Sequence, residues 1–323
     1  MTWRSTAMVC GAALLLATAA PAHAAPSTTR PDGAELLYRP TGPASAQNAA
    51  FSPDGATVVF TQFPRGYNAG PAALELLGFA PGGIPRQLFQ QGDQSAVNLP
   101  GSSWNAAAGL ITFSFDGTDL DEIWTIRPDG GGRKQVTAHT GPRGFTEPSF
   151  SPDGQWIVFQ ENLDQSGPGA LGSIWKVRRD GGGLTRLVDG PGTGTDNRQP
   201  NWSPRGDRIV FQTRGATGDW KLRTITPDGG PSRAVTSGAG EDTDASWSPD
   251  GSRIVFSSDR GGLAHAQLFV IPADGGAAVQ VTHAPTWYSG APSWSPDGRW
   301  LAFESREGDG ETPTALWRIA APA

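Results

Sequence analysis

Short runs of β-branched and aromatic residues alternate along this chain with turns rich in Gly and Pro. Gln155-Trp-Ile-Val-Phe159 and Arg253-Ile-Val-Phe256 are such runs, and Ile123-Trp-Thr-Ile126, Ile174-Trp-Lys-Val177 and Leu268-Phe-Val-Ile271 alternate with period two. Both patterns predict short strands. They recur with a period. Phe51, Phe150, Trp247 and Trp294 each open the pentapeptide aromatic-Ser-Pro-Asp-Gly, Trp202 opens the variant Trp-Ser-Pro-Arg-Gly, and Trp104 opens a degenerate copy, Trp104-Asn-Ala-Ala-Ala-Gly109. Nine residues after each of these six anchors stands a Phe: Phe60, Phe113, Phe159, Phe211, Phe256 and Phe303. The anchors are spaced by 45 to 53 residues, which suits a propeller blade of four short strands.

Each repeat reads as strands A to D. The anchor ends strand A, and Ser-Pro-Asp-Gly makes a tight turn in which Pro presets φ and Gly tolerates a positive φ. Strands B and C follow. A Gly-rich turn such as Pro128-Asp-Gly-Gly-Gly132 or Asp274-Gly-Gly276 then leads to strand D, as in Lys134-Gln-Val-Thr137 and Gln280-Val-Thr282. The sixth repeat stops after strand C at Leu316-Trp-Arg-Ile319. Its missing part resembles Pro31-Asp-Gly33 followed by Glu35-Leu-Leu-Tyr-Arg39. The expected fold is therefore all-β, a six-bladed β-propeller closed by an N-terminal strand that completes the last blade and covers its open edge.

The aromatic-Ser-Pro-Asp-Gly repeat resembles the WD-repeat-like propeller of the TolB-like family, over residues 34–320. The resemblance implies a propeller exported to the cell envelope and working as a protein-interaction module. The repeat accounts for that whole span, so the separate α/β domain that precedes the propeller in TolB itself is not expected here.

Residues 1–24 change the picture of location. One positive charge at Arg4, an apolar stretch from Val9 to Ala20 and the small-residue ending Ala22-His23-Ala24 form the pattern of a cleaved signal peptide. Residues 25–33 then form a short linker and turn, residues 34–320 the propeller, and the product is expected to be secreted or periplasmic, monomeric and without a membrane span. Cys10, the one cysteine, lies within the signal, so disulfides and thiolate chemistry are excluded from the mature chain. The formal charge of −6 argues against a nucleic-acid partner.

Function is expected on the face that carries the B–C and D–A loops, because variable loops on a rigid ring are where binding resides. Strand A lines the central channel, and the residues three before each anchor are expected to ring its mouth: Asn48, Gly101, Glu147, Gln199, Asp244 and Ala291. Arg198 and Asp242 add charge beside them, and Trp287 with Tyr288 is a candidate stacking platform for a glycan. Glu147, Asp242 and Asp244 are paired carboxylates by one reading and a hydrated acidic mouth by the favoured one. The acidic turn at Asp116, Asp119, Asp121 and Glu122 lacks a calcium-loop register. His139 and His283 follow strand D at related positions, which points to a repeated structural role, and His265 with His283 lacks a third zinc ligand. No catalytic residue, metal or cofactor is assigned. The alternative to an interaction module is a propeller-class polysaccharide lyase or glycan-binding protein using the acidic mouth.

Overall fold

The computed structural model of the chain describes residues 28–117, 120–139, 141, 143–163, 171–215, 218–308 and 313–322. The signal segment 1–24 and Asp119 lie outside the described residues. Six antiparallel sheets form the six blades of a ring. Blade 1 comprises Ser45–Phe51, Thr57–Phe63, Ala73–Gly78 and Arg86–Phe89, and blades 3, 4 and 5 repeat that order with inner strands Arg143–Phe150, Asp196–Trp202 and Asp242–Trp247. The inner strand of blade 2 is split into Ala96–Val97 and Trp104–Asn105, both pairing with Leu110–Phe115.

The four Ser-Pro-Asp-Gly turns share one set of bonds, which explains why the motif recurs. Each Ser hydroxyl donates to the Asp carboxylate (Ser52–Asp54 2.6 Å, Ser295–Asp297 2.6 Å) and accepts the amide five residues on (Thr57, Trp156, Arg253 and Trp300, 2.9 to 3.0 Å). The same carboxylate accepts the amide two residues beyond it, and the Gly takes a left-handed φ near +70°. In the variant turn Asp207 replaces the missing carboxylate and accepts from Ser203 at 2.9 Å. In blade 2 the Asn105 side chain braces the turn by accepting the Ala108 amide at 2.7 Å.

The hydrophobic core lies mainly between blades. Phe60, Phe113, Phe159, Phe211, Phe256 and Phe303 have at most 1% of their surface exposed. Typical clusters join neighbours: Val210, Leu222 and Val235 of blade 4 pack with Trp247, Phe256 and Phe269 of blade 5, and Leu37, Ala302 and Leu316 of blade 6 pack with Phe51 and Phe60 of blade 1.

Blade 6 closes the ring. Its sheet runs Glu35–Tyr38, Ala315–Ala320, Trp300–Glu307, Trp287–Trp294, so the N-terminal strand supplies the outer position, in register Glu35 to Arg318 and Leu36 to Trp317. Arg318 also pairs with Glu35 at 2.7 Å. Arg30 and Asp32, ahead of that strand, also take part. Arg30 is 3% exposed, donates to Ser289 (3.0 Å), Ser305 (2.6 Å) and Asp32 (2.8 Å), and lies over the rings of Trp287, Phe303 and Trp317. Removing one partner of such a buried ion pair strands the other, which costs about 3–5 kcal/mol.

Two outcomes follow from these bonds. Deleting residues 25–40 should lower the melting temperature by more than 10 °C and cause aggregation. Arg30→Ala alone should lower it by roughly 5 °C or more, since about 1 kcal/mol shifts a domain of this size by a few degrees. Thermal melts with size-exclusion chromatography check both, and an unchanged, monomeric truncation product would remove the N-terminal strand from the ring. The turn aspartates govern acid stability. Hydrogen bonds hold Asp54, Asp153, Asp250 and Asp297 below the usual carboxylate range, Asp297 at about 2. A depressed folded-state value contributes stability that is present above the unfolded value near 4 and is lost as pH falls through the folded one. The melting temperature should therefore fall between pH 4 and pH 2, and less steeply in Asp297→Asn.

Candidate functional site

The channel is lined by the inner strands, and five of them carry the same irregularity. Their ladders slip at Gln47/Ala50, Thr146/Ser149, Arg198/Asn201, Thr243/Ser246 and Gly290/Ser293. Within each slip the residue three before the anchor takes a left-handed φ: Asn48 +59°, Glu147 +56°, Gln199 +51°, Asp244 +54° and Ala291 +47°. Such values are costly for residues other than Gly, so their repetition marks a built bulge. The bulge turns the amides of Asn48, Gln199, Asp244 and Ala291 toward the preceding blade. Gln199 N donates to Glu147 Oε2 (3.1 Å) and Gln160 Oε1 (3.0 Å), Asp244 N to Gln199 Oε1 (3.2 Å) and Gln212 Oε1 (3.0 Å), and Ala291 N to Asp244. Ala291 has no side chain to continue the chain of bonds. Glu304, from the second strand of blade 6, takes its place and accepts Asn48 N at 3.3 Å.

Blade 2 breaks the sequence of bulges. Gly101 has φ +90°, and between the two halves of the split strand the backbone leaves its sheet and reaches past blade 3 to blade 4. Asn201 Nδ2 donates to Pro100 O at 2.7 Å, and Asn201 Oδ1 accepts Ser102 N at 3.1 Å. A Cβ at position 101 would lie 2.7 Å from the Asn201 amide, so this crossing requires Gly. The crossing segment separates two unlike openings. On the turn side Phe51, Trp202, Trp294 and the exposed Pro53, Pro152 and Pro296 line a cavity of about 240 Å3.

On the loop side, charged groups from several blades converge. Glu304 is 1% exposed and accepts from Tyr67 Oη at 3.2 Å. Burial and the neighbouring Asp244 push its carboxyl up to about 8. Burial likewise pushes Glu147 up to about 7, against the opposing pull of Arg198, and raises Asp244. Tyr67 and Tyr288 are raised as well, Tyr67 chiefly by the Glu304 charge and Tyr288 chiefly by burial. The Arg306 guanidinium lies between those two rings, 4.8 Å from Tyr67 and 4.4 Å from Tyr288.

The structure brings Asn48, Glu147, Gln199, Asp244 and Tyr288 to the channel, part-way along the inner strands. Arg198 pairs with Asp196 at 2.9 Å and lies over Trp220. Asp242 is elsewhere. It has no exposed surface and is fixed by Arg260 (2.7 Å), Lys221 (3.2 Å) and Ser258 (2.7 Å), so it cannot pair with Glu147 or Asp244. Trp287 is half-buried, packs edge-on against Trp317 at 5.4 Å and carries Arg30 on its ring, which leaves no open stacking platform. The Val-Thr pairs of strand D place Thr137, Thr236 and Thr282 to accept the amides of Ile123, Leu222 and Leu268 at 2.8 to 2.9 Å. His139 follows the first pair and is held with Thr137 by Glu122. Among the described residues no group of three His, Cys, Asp or Glu is placed to hold a metal ion.

Sequence reasoning passed over Glu304, Gln160 and Gln212, although a signal was present. Each directly follows the Phe that stands nine residues after an anchor, and all six such positions are polar. Tyr67 and Arg306 carried no comparable signal, since one sits in a loop without a repeat and the other near a strand end.

Residues 197–318 match the family model described as the TolB beta propeller domain. The uncharacterized peptidase YuxL of Bacillus subtilis is 35% identical over 186 residues, which are 57% of this chain and 25% of YuxL. The matched stretches cover less than half the length of the curated relatives. Among solved structures, the putative TolB from Agrobacterium tumefaciens superimposes with a TM-score of 0.62 at 21% identity, over 87% of this chain and 92% of that one. An oligogalacturonate lyase in complex with manganese does so with a TM-score of 0.58 at 14% identity, over 90% and 96%. At these identities the likeness concerns the fold. The repeat and the ring of six blades make this chain a six-bladed β-propeller, and its residues 197–318 resemble the TolB beta propeller domain.

Proposed function

We propose that this propeller is an exported protein-interaction module, secreted or periplasmic, whose partner is a protein or envelope component docking over the loop-bearing end of the channel. One observation carries the reading: side chains from blades 1, 3, 4, 5 and 6 converge there, with the carboxylates of Glu147, Asp244 and Glu304 held by amides of the bulged inner strands and Tyr67, Tyr288 and Arg306 beside them. The opposite face combines an apolar cavity ringed by prolines with turns whose polar groups satisfy one another, and presents no such convergence of charged groups. Convergent, preorganised polar groups on a rigid ring are what a recognition site requires. No described helix is long and apolar enough to cross a membrane.

A second reading has its own support. Glu147 and Glu304, raised to about 7 and 8, have values suited to general acid–base chemistry at neutral pH. A glycan lyase working through this mouth would release product steadily from polyuronides and lose activity in Glu147→Gln or Glu304→Gln. Such turnover would displace the interaction reading.

Two outcomes test the site. Asp244→Asn and Arg198→Glu should weaken capture of an envelope partner at least tenfold, whereas Asp180→Asn and Asp228→Asn on the turn face should leave it unchanged. Pull-down followed by titration of the captured protein decides this, and equal losses from both faces would count against loop-face docking. The raised carboxylates also set the pH dependence of stability. The unfolded chain ionises near 4.5 and the folded one only near 7 to 8, so stability falls as pH rises through that interval. Glu304→Gln keeps one acceptor oxygen for Asn48 N, turns the other position into an amide donor that the Tyr67 hydroxyl oxygen can accept, and removes the ionisation. It should raise the melting temperature at pH 8 by several degrees and flatten the decline between pH 5 and 8, a gain on the order of a few kcal/mol.

A further inference from the structure

Arg306 stands opposite Tyr288 in the blade 6 ladder and is covered on its other side by Tyr67. Its Nε and Nη1 atoms are buried and have no hydrogen-bond partner. A buried cationic donor without an acceptor is costly, and native structures seldom leave one. The two nearby acids do not fill the role. Glu304 is engaged by Asn48 N and Tyr67 Oη, and Asp244 by Thr243 and by Ala291 N.

The cover over Arg306 comes from the loop between the second and third strands of blade 1, between Phe63 and Ala73. This loop contains Pro64, Gly66 and Gly70, and Asn68 in it has φ +53°. The loop is tied to the channel wall by a hydrogen bond between the Tyr67 and Tyr288 side chains and by two long bonds, Tyr67 Oη to Glu304 at 3.2 Å and Asn68 N to Gln47 Oε1 at 3.4 Å. Lifting Tyr67 would open one face of the guanidinium and bring its free donors within reach of a ligand.

We propose that Arg306 is the receptor for a carboxylate presented by a polypeptide ligand, with Tyr67 as the cover that the ligand displaces and Tyr288 as the fixed face against which the ion pair forms. A carboxylate suits the site because it accepts hydrogen bonds from a guanidinium and carries a single charge, matching one cation among acids that would repel a dianion. The polypeptide source rests on the interaction-module reading. The anion site itself rests on the unpartnered donors.

The test uses the full chain and three short synthetic peptides: one ending in Gly-Gly-Phe with a free carboxylate, the same peptide as its C-terminal amide, and that amide with Asp in place of one Gly. Affinities are read by calorimetry or NMR titration. The free acid should bind at least tenfold more tightly than the plain amide. Binding of the Asp peptide as well would assign the site to side-chain carboxylates, and failure of that peptide would assign it to chain termini. Arg306→Gln should abolish the preference, Arg306→Lys should keep part of it, and Tyr67→Ala should strengthen acid binding by removing the cover. Equal binding of acid and amide, a preference that survives in Arg306→Gln, or no binding of any acid peptide would overturn the proposal. Peptide preference without capture of an envelope partner would sink the module reading alone, and partner capture unaffected by Arg306→Gln would sink this inference alone.

Discussion

The pairing of Glu35–Tyr38 with Ala315–Ala320 is the interaction on which the rest of the molecule depends. Each blade is too thin to enclose a core, so its apolar side chains are buried against the next blade. Such an arrangement is stable only if every blade has two neighbours. An open ring would expose the facing surfaces of blades 1 and 6 together with an unpaired strand edge. Closure through strand pairing satisfies the backbone groups, and Arg30 secures the same junction from within by joining both hydroxyls of Ser289 and Ser305 to the aromatic packing of blade 6.

Closure also fixes the channel. Because the inner strands are held at constant separation, a bulge repeated at one position in five blades can pass hydrogen bonds around the lumen from blade to blade. Strain at Asn48, Gln199, Asp244 and Ala291 is offset by the bonds their amides gain. The exception in blade 2 is equally ordered: a strand too interrupted to line the channel crosses it, and Asn201 receives its backbone. The channel therefore has two different ends, one apolar and ringed with proline, the other charged.

Electrostatics distinguish those ends. Turn aspartates are exposed, hydrogen-bonded and ionised more readily than usual, so they serve the turns themselves. The channel carboxylates are buried at Glu304 and half-buried at Glu147 and Asp244, and burial raises them instead, Glu147 to about 7 and Glu304 to about 8.

The sequence by itself determined the architecture. Six anchors, six Phe residues nine positions later and the displaced Pro31-Asp-Gly33 turn with Glu35–Tyr38 specify blade number, strand order and closure, because these features are local and repeat. It also placed Asn48, Glu147, Gln199 and Asp244 in register along the inner strands. Tertiary structure alone decided what they touch. Asp242, two residues from Asp244, faces the other way and is absorbed by Arg260 and Lys221, because strand residues alternate between faces and the bulge resets the alternation locally. Tyr67, Glu304 and Arg306 meet across more than two hundred residues of sequence, where no spacing rule reaches, since ring closure brings the first blade against the last.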